Sequence, residues 1–427
     1  MSSKEQLAIN GGEPVCKESF PKWPHFAEET IQAAMGPLKN GKTNYWSGHL
    51  GMEFENKFAQ WNGAKFGISV INGTAALHTA VSCLGIGPGD EVICPSYSFI
   101  ASSFCILQAG AIPIFADVKK EDHTIDPADI EQKINKKTKA ILVVHLYGIV
   151  CDMDPIMEIA KKHNLFVIED CAQCFGGVYK GKKVGTIGNA GAFSFCQTKH
   201  FTTGGEGGCT ITNNEDLSWK CKSFRDHGYN IPARLKAQAE GKRLPYIHEM
   251  VGFNYRMTEM QSAIGLKELA KLDSYHLKNR RRNGEMIIKA LSNHNAVKYL
   301  PPHESDRLNA FWLFPITLNM DNLTCDIQTF VGSIAKEGVP VMPVQWWQSY
   351  REKAFTEHMG FGTAKFPFES KEYTRAEAVD YSGGFICENA SWLEQRTCTF
   401  PVHPVYEEKH IQYMIDAFNK VAEAYMR

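Results

Sequence analysis

The amino-acid sequence predicts an α/β fold, in which a large domain with a mostly parallel sheet precedes a smaller C-terminal α+β domain. From about residue 65 to 215, short apolar runs alternate with helical patterns. Strands buried on both faces of a parallel sheet look like this, and the helices between them form the crossovers. Since 427 residues exceed one ordinary domain, we expect a large domain at residues 1–292, with an N-terminal segment at 1–30, and a small domain at 293–427.

The apolar runs and the helical periodicity place the elements of the large domain. The expected strands cover residues 66–71, 91–94, 112–118, 140–145, 165–169, 190–195 and 208–212. Helices are expected over 74–83, 98–109 and 153–163, and a long one over 258–292. The polar and basic residues 230–250 predict a mobile loop.

Three segments define the small domain. An aromatic-rich strand is expected over 310–318, then a helix over 325–337 and a further apolar run over 339–344. In the segment 407–425, apolar residues recur at helical spacing, so that one face of the helix is apolar. Such a helix closes the domain.

The composition is that of an ordinary globular protein. Hydrophobic residues make up 44% and charged residues 22% of the chain, and 46 basic residues nearly balance 47 acidic ones. No basic excess of the kind that duplex-binding proteins carry is present. A phosphate group can still be held locally by a few N–H groups. No apolar run is long enough to span a bilayer, so we expect a soluble protein without nucleic-acid or membrane partners.

The thirteen cysteines are scattered among apolar neighbours, and the start of the chain lacks a basic-then-apolar signal. This pattern predicts reduced core thiols in a cytoplasmic protein. Cys171 and Cys174 have C-x-x-C spacing, which leaves a metal or redox site as an alternative. Because no second pair accompanies them, we predict no metal site.

A lysine in a glycine-rich context carries the main chemical signal. The stretch Phe193-Ser-Phe-Cys-Gln-Thr-Lys199 leads from an apolar strand towards Thr203-Gly-Gly-Glu-Gly-Gly208. A desolvated lysine is a nucleophile towards carbonyl groups, and glycines allow the close approach of a flat ligand. The alternative is a solvated lysine beside a glycine-rich hairpin.

Two carboxylates end a buried strand upstream of this lysine, in Val167-Ile-Glu-Asp170. Ligands of open α/β sheets bind beyond the carboxyl ends of the strands. Pyridoxal phosphate needs a lysine that forms a Schiff base and an aspartate that keeps the pyridine nitrogen protonated. Lys199 and Asp170 match this need, whereas the alternative for Asp170 is a helix N-cap.

The segment Ile71-Asn-Gly-Thr-Ala-Ala-Leu77 predicts a strand, a turn and the start of a helix. Small residues at a helix start leave N–H groups free for a phosphate, and the Thr74 hydroxyl can add a hydrogen bond. Many helices begin in this way, so the pattern alone is weak. One chain thus contains groups that can hold the phosphate and the ring of the cofactor, and a lysine that can form the Schiff base. Together they indicate a pyridoxal phosphate site.

With these residues in place, the chain resembles the sugar aminotransferases of the DegT/DnrJ/EryC1/StrS family, a branch of the fold type I pyridoxal phosphate enzymes. The resemblance runs from Leu7-Ala-Ile-Asn-Gly-Gly12 to the C-terminal helix. The matching motifs are Asn72-Gly-Thr-Ala-Ala-Leu77, Pro95-Ser-Tyr-Ser-Phe99, Glu169-Asp-Cys-Ala-Gln-Cys174, Phe193-Ser-Phe195 with Lys199, Gly205-Glu-Gly-Gly208 and Gly252-Phe-Asn-Tyr-Arg-Met257. Their joint order is highly specific.

The resemblance implies that Lys199 is the catalytic residue, which holds the cofactor and moves protons. The residues implied to bind pyridoxal phosphate are Gly73, Thr74 and Ser194 at the phosphate, Phe99 on the ring, Asp170 at the ring nitrogen, Gln173 at the ring hydroxyl, and Asn254 at the phosphate of the neighbouring subunit's cofactor. A homodimer with active sites at its interface is then implied. Ordinary alternatives are a core aromatic for Phe99, a solvent-facing strand hydroxyl for Ser194, a helix-start polar residue for Gln173 and a turn residue for Asn254.

The resemblance also implies the reaction, in which glutamate or glutamine donates an amino group that passes to a keto-sugar. The favoured acceptor is 8-oxo-3,8-dideoxy-manno-octulosonate, which would give the 8-amino sugar (8-amino-Kdo) of lipopolysaccharide. A cyclitol, an inosose or a nucleotide-linked keto-sugar is the alternative. Sugar dehydration is less favoured, because the dehydratases of the family carry histidine where Lys199 stands, although His200 is adjacent. A regulator with a DNA-binding module is disfavoured, since no basic helix-turn-helix pattern is found.

The sugar-binding residues are not determined by the motifs. An acidic sugar requires a cation, for which Lys42, Arg225, His227, Arg256 and the basic loop 230–243 are candidates. Trp46, Trp346 and Trp347 are candidates for the walls of the site, and a structural role is equally compatible with each. The chain departs from the family pattern at Thr202-Thr203-Gly204 and at Pro343-Val-Gln-Trp-Trp-Gln-Ser-Tyr350, where many members have a histidine-tyrosine stretch.

Overall fold

Helices and strands alternate along most of the chain in the computed structural model, which describes residues 3–244, 247–344, 348–373, 379–381 and 387–427. The α-helices are α1 (Glu28–Asn40), α2 (Leu50–Asn62), α3 (Gly73–Cys83), α4 (Ala101–Gln108), α5 (Pro127–Lys133), α6 (Met153–His163), α7 (Glu215–Arg225), α8 (Ile231–Ala239), α9 (Glu259–Ala270), α10 (Lys278–Leu291), α11 (Ile327–Lys336), α12 (Lys353–Thr356), α13 (Glu388–Glu394) and α14 (Glu408–Tyr425). The strands are β1 (Phe66–Val70), β2 (Glu91–Pro95), β3 (Ile112–Ala116), β4 (Thr138–Val144), β5 (Phe166–Asp170), β6 (Val178–Tyr179), β7 (Lys182–Lys183), β8 (Ala190–Ser194), β9 (Gly208–Thr212), β10 (Val297–Tyr299), β11 (Arg307–Leu308), β12 (Leu313–Leu318), β13 (Met342–Pro343) and β14 (Thr397–Pro401). The predicted α/β organisation is confirmed.

The central sheet is mostly parallel, as predicted. Over the described residues it has seven strands in the order β1-β9-β8-β5-β4-β2-β3. The pairs from β8 to β3 are parallel, whereas β9 runs antiparallel to both β1 and β8. The strands β1, β2, β5 and β8 therefore end at the same edge of the sheet, which is where open α/β sheets bind their ligands.

A second, antiparallel sheet has the order β10-β12-β14-β13 over the described residues. The helices α10, α11 and α14 pack together beside it, and α14 buries Ile411, Met414, Phe418 and Val421. The predicted closure of this part by an amphipathic C-terminal helix is confirmed, because these apolar side chains recur on the buried face.

The buried apolar side chains form two clusters that do not follow chain order. Leu7 and Cys16 belong to the cluster around the antiparallel sheet, whereas Phe355 and Tyr381 belong to the cluster around the central sheet. The Tyr381 hydroxyl donates to the carbonyl of Pro113 on the edge strand β3, at 2.9 Å. An N-terminal segment thus packs beside the antiparallel sheet, and a segment from the C-terminal part of the chain packs beside the central sheet. The domain boundary at residue 292 stays a prediction.

Two segments are less regular than their sequence patterns indicate. The helix expected over 258–292 consists of α9, a π-helical stretch Leu272–Leu277 and α10. The wider turn buries His276, whose Nε2 lies 3.0 Å from a carboxylate oxygen of Glu268. Within the apolar run over 339–344, only Met342–Pro343 forms a strand, because prolines at positions 340 and 343 lack the N–H group that a ladder needs.

The mobile loop expected over 230–250 is wrong for its first half, where α8 forms. The side chain of Asn230 accepts a hydrogen bond from the N–H of Ala233 and caps this helix, and Pro232 occupies its first turn. A capping asparagine and an early proline are ordinary helix-start signals. Residues 245–246 lie outside the described part of the chain.

The cysteines are reduced thiols, as predicted. All thirteen lie in the described part of the chain and are unpaired, and all except Cys196 and Cys325 are buried. Burial raises the pKa of the Cys174 thiol to about 12. The buried thiols therefore behave as small apolar groups of the core.

An aromatic cluster supports the strand that leads to Lys199. Phe195, the residue after β8, is fully buried and packs against the rings of Phe54, Phe58, Phe175 and Phe201, with centroid separations of 5.0–5.7 Å. Rings at these separations contribute both buried area and edge-to-face contacts. The cluster holds β8 against α2.

We expect Phe195→Ala to lower the free energy of unfolding by about 3–5 kcal/mol, because the substitution leaves a cavity among these rings. Phe166→Ala is the matched control, since Phe166 begins β5 but is 38% exposed, and we expect it to cost about 1 kcal/mol or less. Urea denaturation followed by circular dichroism measures both. Equal costs would contradict the assigned supporting role.

Candidate active site

The carboxyl edge of the central sheet borders a cavity of about 540 Å³. Seven of the eight site residues predicted from the sequence line it: Gly73, Thr74, Phe99, Asp170, Gln173, Ser194 and Lys199. They follow or end four different strands of the sheet. The shared direction of these strands brings them together.

Lys199 lies in the turn that follows β8, where its backbone N–H donates to the carbonyl of Cys196 at 2.9 Å. Burial lowers the pKa of the Lys199 amine to about 8, although the negative charge of Asp170 acts in the opposite direction. The Nζ atom lies 4.2 Å from the centre of the Trp312 ring. The amine can therefore gain or lose a proton near neutral pH, as a general acid or base must.

Asp170 ends β5 with a buried carboxylate. One of its oxygens accepts from the Ser102 hydroxyl at 2.7 Å and the other from the N–H of Ala172 at 3.0 Å. Burial raises the pKa of Asp170, and these two hydrogen bonds lower it. Turns, not a helix, follow residue 170, so the alternative of a helix cap is wrong. The carboxylate is placed to meet a cationic group in the cavity.

Glu169 precedes Asp170 and holds the next part of the chain. Its side chain is fully buried and accepts hydrogen bonds from the N–H groups of Gly185, Ile187 and Gly188 at 2.7–2.8 Å. The Nε2 atom of His145 lies 3.2 Å from the same carboxylate. This network ties the segment before β8 to the end of β5.

The helix α3 begins at the cavity wall. The side chain of Asn72 caps it by accepting from the N–H of Ala75 at 2.8 Å. A Cβ atom on Gly73 would lie 2.5 Å from the Cβ of Ser194, so only glycine permits this approach. The first N–H groups of the helix and the hydroxyls of Thr74 and Ser194 form a cradle for an anion.

Phe99 and Gln173 complete the wall. Phe99 is 50% exposed although it lines the cavity, so its ring offers an open apolar surface. Gln173 is buried, and its Oε1 accepts from the N–H of Tyr147 at 2.8 Å, which leaves its amide N–H groups as donors.

This set of groups fits pyridoxal phosphate. The α3 cradle suits a phosphate, the Asp170 carboxylate suits a protonated ring nitrogen, the Gln173 amide suits a ring hydroxyl and Phe99 suits a flat ring. The close approach of Gly73 to Ser194 and the buried Asp170 carboxylate are the two observations on which this fit depends.

Asn254 does not line the cavity of its own chain. It is exposed and forms a backbone bridge with Asp226. The structure therefore brings together the other seven predicted residues and leaves Asn254 on the surface.

Two of the predicted cations are engaged elsewhere. Arg225 is buried, contacts the carboxylate of Glu55 and donates to the carbonyl of Ser69 at 3.1 Å. Arg256 contacts the carboxylate of Asp226. Neither guanidinium lines the cavity, and Lys199 is the only lysine or arginine among the described residues that do.

Three further candidates for sugar binding, His227, Trp46 and Lys42, do not line the cavity. The His227 ring lies 3.4 Å from Asp226, and the Trp46 indole N–H donates to Asp226 as well. Lys42 is exposed. Trp346 and Trp347 lie outside the described residues.

The sequence did not predict a role for four further cavity residues: Cys196, Glu206, Trp312 and His403. Glu206 and Cys196 lie within motifs that the sequence singled out, and Trp312 lies in the aromatic-rich strand region, so a weak signal existed for them. No pattern pointed to His403, because it follows β14 and is more than 200 residues from Lys199 in the chain.

His200 faces away from the cavity. Its ring stacks on Phe175 with centroids 5.0 Å apart, and its Nε2 lies 3.2 Å from the carbonyl of Ala310. The ring is fully buried and does not line the cavity. His200 therefore cannot replace Lys199 as an acid or base without a rearrangement of the core.

The side chains of His145, Glu169 and Cys171 place donor atoms within 4.8 Å of one another. Such spacing is compatible with a metal ion, but the Glu169 oxygens already accept three backbone N–H bonds. The Nδ1 atom of His145 accepts a further bond from the N–H of Cys151 at 3.1 Å. The group is explained as a hydrogen-bond network.

Known proteins are similar to this chain in sequence and fold. A profile of the DegT/DnrJ/EryC1/StrS aminotransferase family matches residues 24–379. A GDP-perosamine synthase of Escherichia coli O157:H7 is 41% identical over 307 residues, which cover 72% of this chain and 80% of that protein. An L-glutamine:2-deoxy-scyllo-inosose aminotransferase of Streptoalloteichus tenebrarius is 37% identical over 287 residues, 66% of this chain and 67% of that protein. The X-ray structure of an aminotransferase from Psychrobacter cryohalolentis has a TM-score of 0.82 at 35% identity, and the match covers 94% of this chain and 98% of that one.

We expect Asp170→Asn to lower the pKa of Lys199 below about 8, because the Asp170 charge stabilises the ammonium form. The neutral amine is the reactive form, so the modification of Lys199 by an amine-directed reagent should reach half its maximal rate at a lower pH than in the wild type. Mass spectrometry of the cofactor-free protein across a pH series measures this rate.

Glu206→Gln is the matched control, because Glu206 also raises the Lys199 pKa but ranks below Asp170 in its effect. In Glu206→Gln, the pH at which the modification of Lys199 reaches half its maximal rate should also fall, but by less than in Asp170→Asn. An unchanged or raised midpoint in Asp170→Asn would show that the two groups do not interact as the geometry indicates.

Proposed function

Because this chain belongs to the DegT/DnrJ/EryC1/StrS aminotransferase family, we propose that its cavity is a pyridoxal phosphate site at which an amino group passes from glutamate or glutamine to a keto-sugar. Membership makes the chain a sugar aminotransferase with the fold type I architecture. The observation that carries the proposal for the site is the presence of the buried Lys199 and Asp170 side chains in one cavity beside the start of α3.

We propose that seven residues hold the cofactor within the chain. Lys199 would hold it covalently, Gly73, Thr74 and Ser194 would bind its phosphate, and Asp170, Gln173 and Phe99 would contact its ring nitrogen, ring hydroxyl and ring face. When bound, pyridoxal phosphate supplies an electron sink that stabilises negative charge on the carbon bearing the amino group.

Lys199 is proposed to carry protons in the reaction. Its amine has a pKa of about 8 because of burial, so both the neutral and the charged form are accessible near neutral pH. The Trp312 ring beside Nζ can hold the charged form through its π face. Asp170 would keep a positive charge on the ring nitrogen, since a buried carboxylate without a cation is costly.

We propose that the active unit is a homodimer in which Asn254 reaches the partner's cofactor phosphate. Asn254 is exposed and lies outside the cavity of its own chain, which is what a role in a neighbouring site requires. Ile31, Met35 and Leu38 support an interface as well, because they are exposed on one face of α1.

The proposed acceptor is 8-oxo-3,8-dideoxy-manno-octulosonate, with 8-amino-Kdo for lipopolysaccharide as the product. Support comes from the overall resemblance of the chain. A cyclitol or a nucleotide-linked keto-sugar is the alternative, favoured by the names of the inosose and perosamine relatives. The carboxylate of the octulosonate would need a cation besides Lys199; Lys42 and the basic segment 230–243 are the candidates for it, although none of them lines the cavity of its own chain.

Dehydration is the second candidate reaction. It is disfavoured because lysine, not histidine, occupies position 199 and because His200 is packed in the core. We propose a cytoplasmic location, which the reduced thiols support. No helix among the described residues is long and apolar enough to cross a membrane.

We expect Lys199→Ala to lower the transamination rate by at least about 100-fold, because general acid–base catalysis by a positioned group contributes that much or more. Borohydride treatment should attach the cofactor to the wild-type peptide that contains residue 199, and mass spectrometry should find no such attachment in the variant. Lys183→Ala is the control, since Lys183 lies over the Trp61 ring away from the cavity, and it should retain wild-type activity. Full turnover by Lys199→Ala would refute the assignment.

The acceptor is tested by a half-reaction screen. The protein is loaded with pyridoxamine phosphate and offered 8-oxo-3,8-dideoxy-manno-octulosonate, scyllo-inosose or a GDP-linked 4-keto-sugar, and the return of the pyridoxal absorbance is followed. We expect the octulosonate to react with a kcat/KM at least about tenfold above the others, a difference of one good polar contact. Faster reaction of another sugar would remove the named substrate, and no reaction with any of them would count against the class.

A further inference from the structure

His403 forms part of the cavity wall together with Lys199 and Trp312. It follows β14, on the smaller sheet, and is partly exposed. The seven cofactor-holding residues proposed above account for the large-domain side of the cavity and leave His403 without a function. We propose that His403 binds the keto-sugar through an uncharged Nε2–H group, and that Arg280 is the positioning residue that keeps it in this form. The proposal rests on the aminotransferase function argued above.

Arg280 is a buried cation without an acidic partner. Its side chain is fully buried, and among the described residues no carboxylate forms an ion pair with it. One terminal nitrogen donates to the carbonyls of Phe311 and Trp312 at 3.3 and 3.1 Å. The other lies 3.4 Å from the carbonyl of Lys199 and 3.5 Å from Nδ1 of His403. Arg280 therefore links the lysine turn, the start of β12 and the histidine.

The contact with Arg280 determines the tautomer of His403. A guanidinium has only donors, so Nδ1 must accept and the single proton of the neutral ring resides on Nε2. Burial, and then the charge of Arg280, lower the pKa of His403 to about 3. The neutral form of the ring is therefore favoured near neutral pH.

The orientation of the ring is restrained as well. The Trp23 ring stacks on it with an interplanar angle of 16°, and Tyr406 meets it edge-on. The carbonyl of His403 accepts from the side-chain amide of Asn283 at 3.0 Å. The groups that face the ring are thus two aromatic rings and one guanidinium, and no acidic group that would favour its protonation is among these contacts.

A neutral N–H donor selects a particular kind of ligand atom. The carboxylates of glutamate are best matched by a cation, whereas a sugar hydroxyl or carbonyl oxygen is matched by an uncharged donor. Another ionisable group of the described cavity wall, the carboxylate of Glu206, can accept from sugar hydroxyls, whereas the Asp170 carboxylate is assigned to the ring nitrogen of the cofactor. His403 then supplies a donor on the small-domain wall, and its contact belongs to the sugar half of the reaction.

The two half-reactions allow a direct test. In the sugar half, the pyridoxamine form is offered the octulosonate and scyllo-inosose as probes, and in the donor half the pyridoxal form is offered glutamate. We expect His403→Phe to raise the KM of the accepted sugar about tenfold, the loss expected for one hydrogen bond to an uncharged group. The donor half should stay within about twofold of the wild type. His403→Gln, which retains an N–H donor, should recover part of the loss.

His410→Gln is the matched control, because His410 is a buried histidine of the same region that packs on Phe20 and does not line the cavity. Its half-reactions should both equal those of the wild type. An unchanged sugar KM in His403→Phe, or an equal loss in both halves, would overturn the inference and leave the aminotransferase function standing. A wild-type protein that accepts glutamate but no keto-sugar would overturn the proposed function and this inference with it.

The tautomer is tested without turnover. Nitrogen-15 spectra of the histidine-labelled, cofactor-free protein should show His403, identified by its loss in His403→Gln, with a protonated Nε2 and a bare Nδ1 that do not titrate near neutral pH. Arg280→Met should bring the titration of this ring towards neutral pH, whereas Arg280→Lys, which keeps a cation, should prevent it. A wild-type ring that carries its proton on Nδ1, or that titrates normally, would overturn the role of Arg280.

Discussion

Three backbone N–H groups donate to the buried carboxylate of Glu169, and the geometry of the site depends on this clamp. The donors belong to Gly185, Ile187 and Gly188, just before β8. Because side chains alternate along a strand, Glu169 and the adjacent Asp170 point to opposite faces of the sheet. One carboxylate can thus fasten the chain on one side while the other serves the cavity. The clamp thus holds the chain just before the point where β5 and β8 pair, with Asp170 opposite Ala192.

The buried charged groups around the cavity differ in how the cost of their burial is offset. Lys199 and Asp170 are both desolvated, and each moderates the pKa shift that burial imposes on the other. Arg280 has no such partner among the described residues, and its terminal nitrogens donate to carbonyl oxygens instead. Burial is the main cause that lowers the pKa of His200, His276 and His403, and the charge of Arg280 lowers it further. The site therefore combines the Lys199 amine, whose protonation can change near neutral pH, with neighbouring polar groups that stay uncharged.

Buried ion pairs elsewhere determine which cations are unavailable to a ligand. Arg225 contacts Glu55 between α7 and α2, and Arg256 contacts Asp226. Breaking a buried pair leaves an uncompensated charge at a cost of about 3–5 kcal/mol, so neither guanidinium is free to leave its partner. A substrate carboxylate must find its cation among other residues.

The linear sequence was most informative where chemistry depends on short motifs. It predicted the ends of the strands, the small residues at the start of α3, and the chain order of Asp170 and Lys199. Such features are local, because neighbouring residues on one strand or turn remain neighbours in space. The apolar run over 339–344 did not indicate how short its strand would be, since its prolines lack the N–H groups that a ladder needs. The helix α8 was missed because its polar composition concealed ordinary capping signals.

Sequence by itself therefore determined the α/β fold, the family and seven residues that meet in one cavity. Tertiary structure alone decided that Arg225 and Arg256 are paired, that His200 faces the core and that His403 joins Lys199 across more than 200 residues of chain. The physical reason is that pairing and burial depend on distances between elements far apart in the chain. Those distances are set by how the two sheets and their helices pack, which no local pattern encodes.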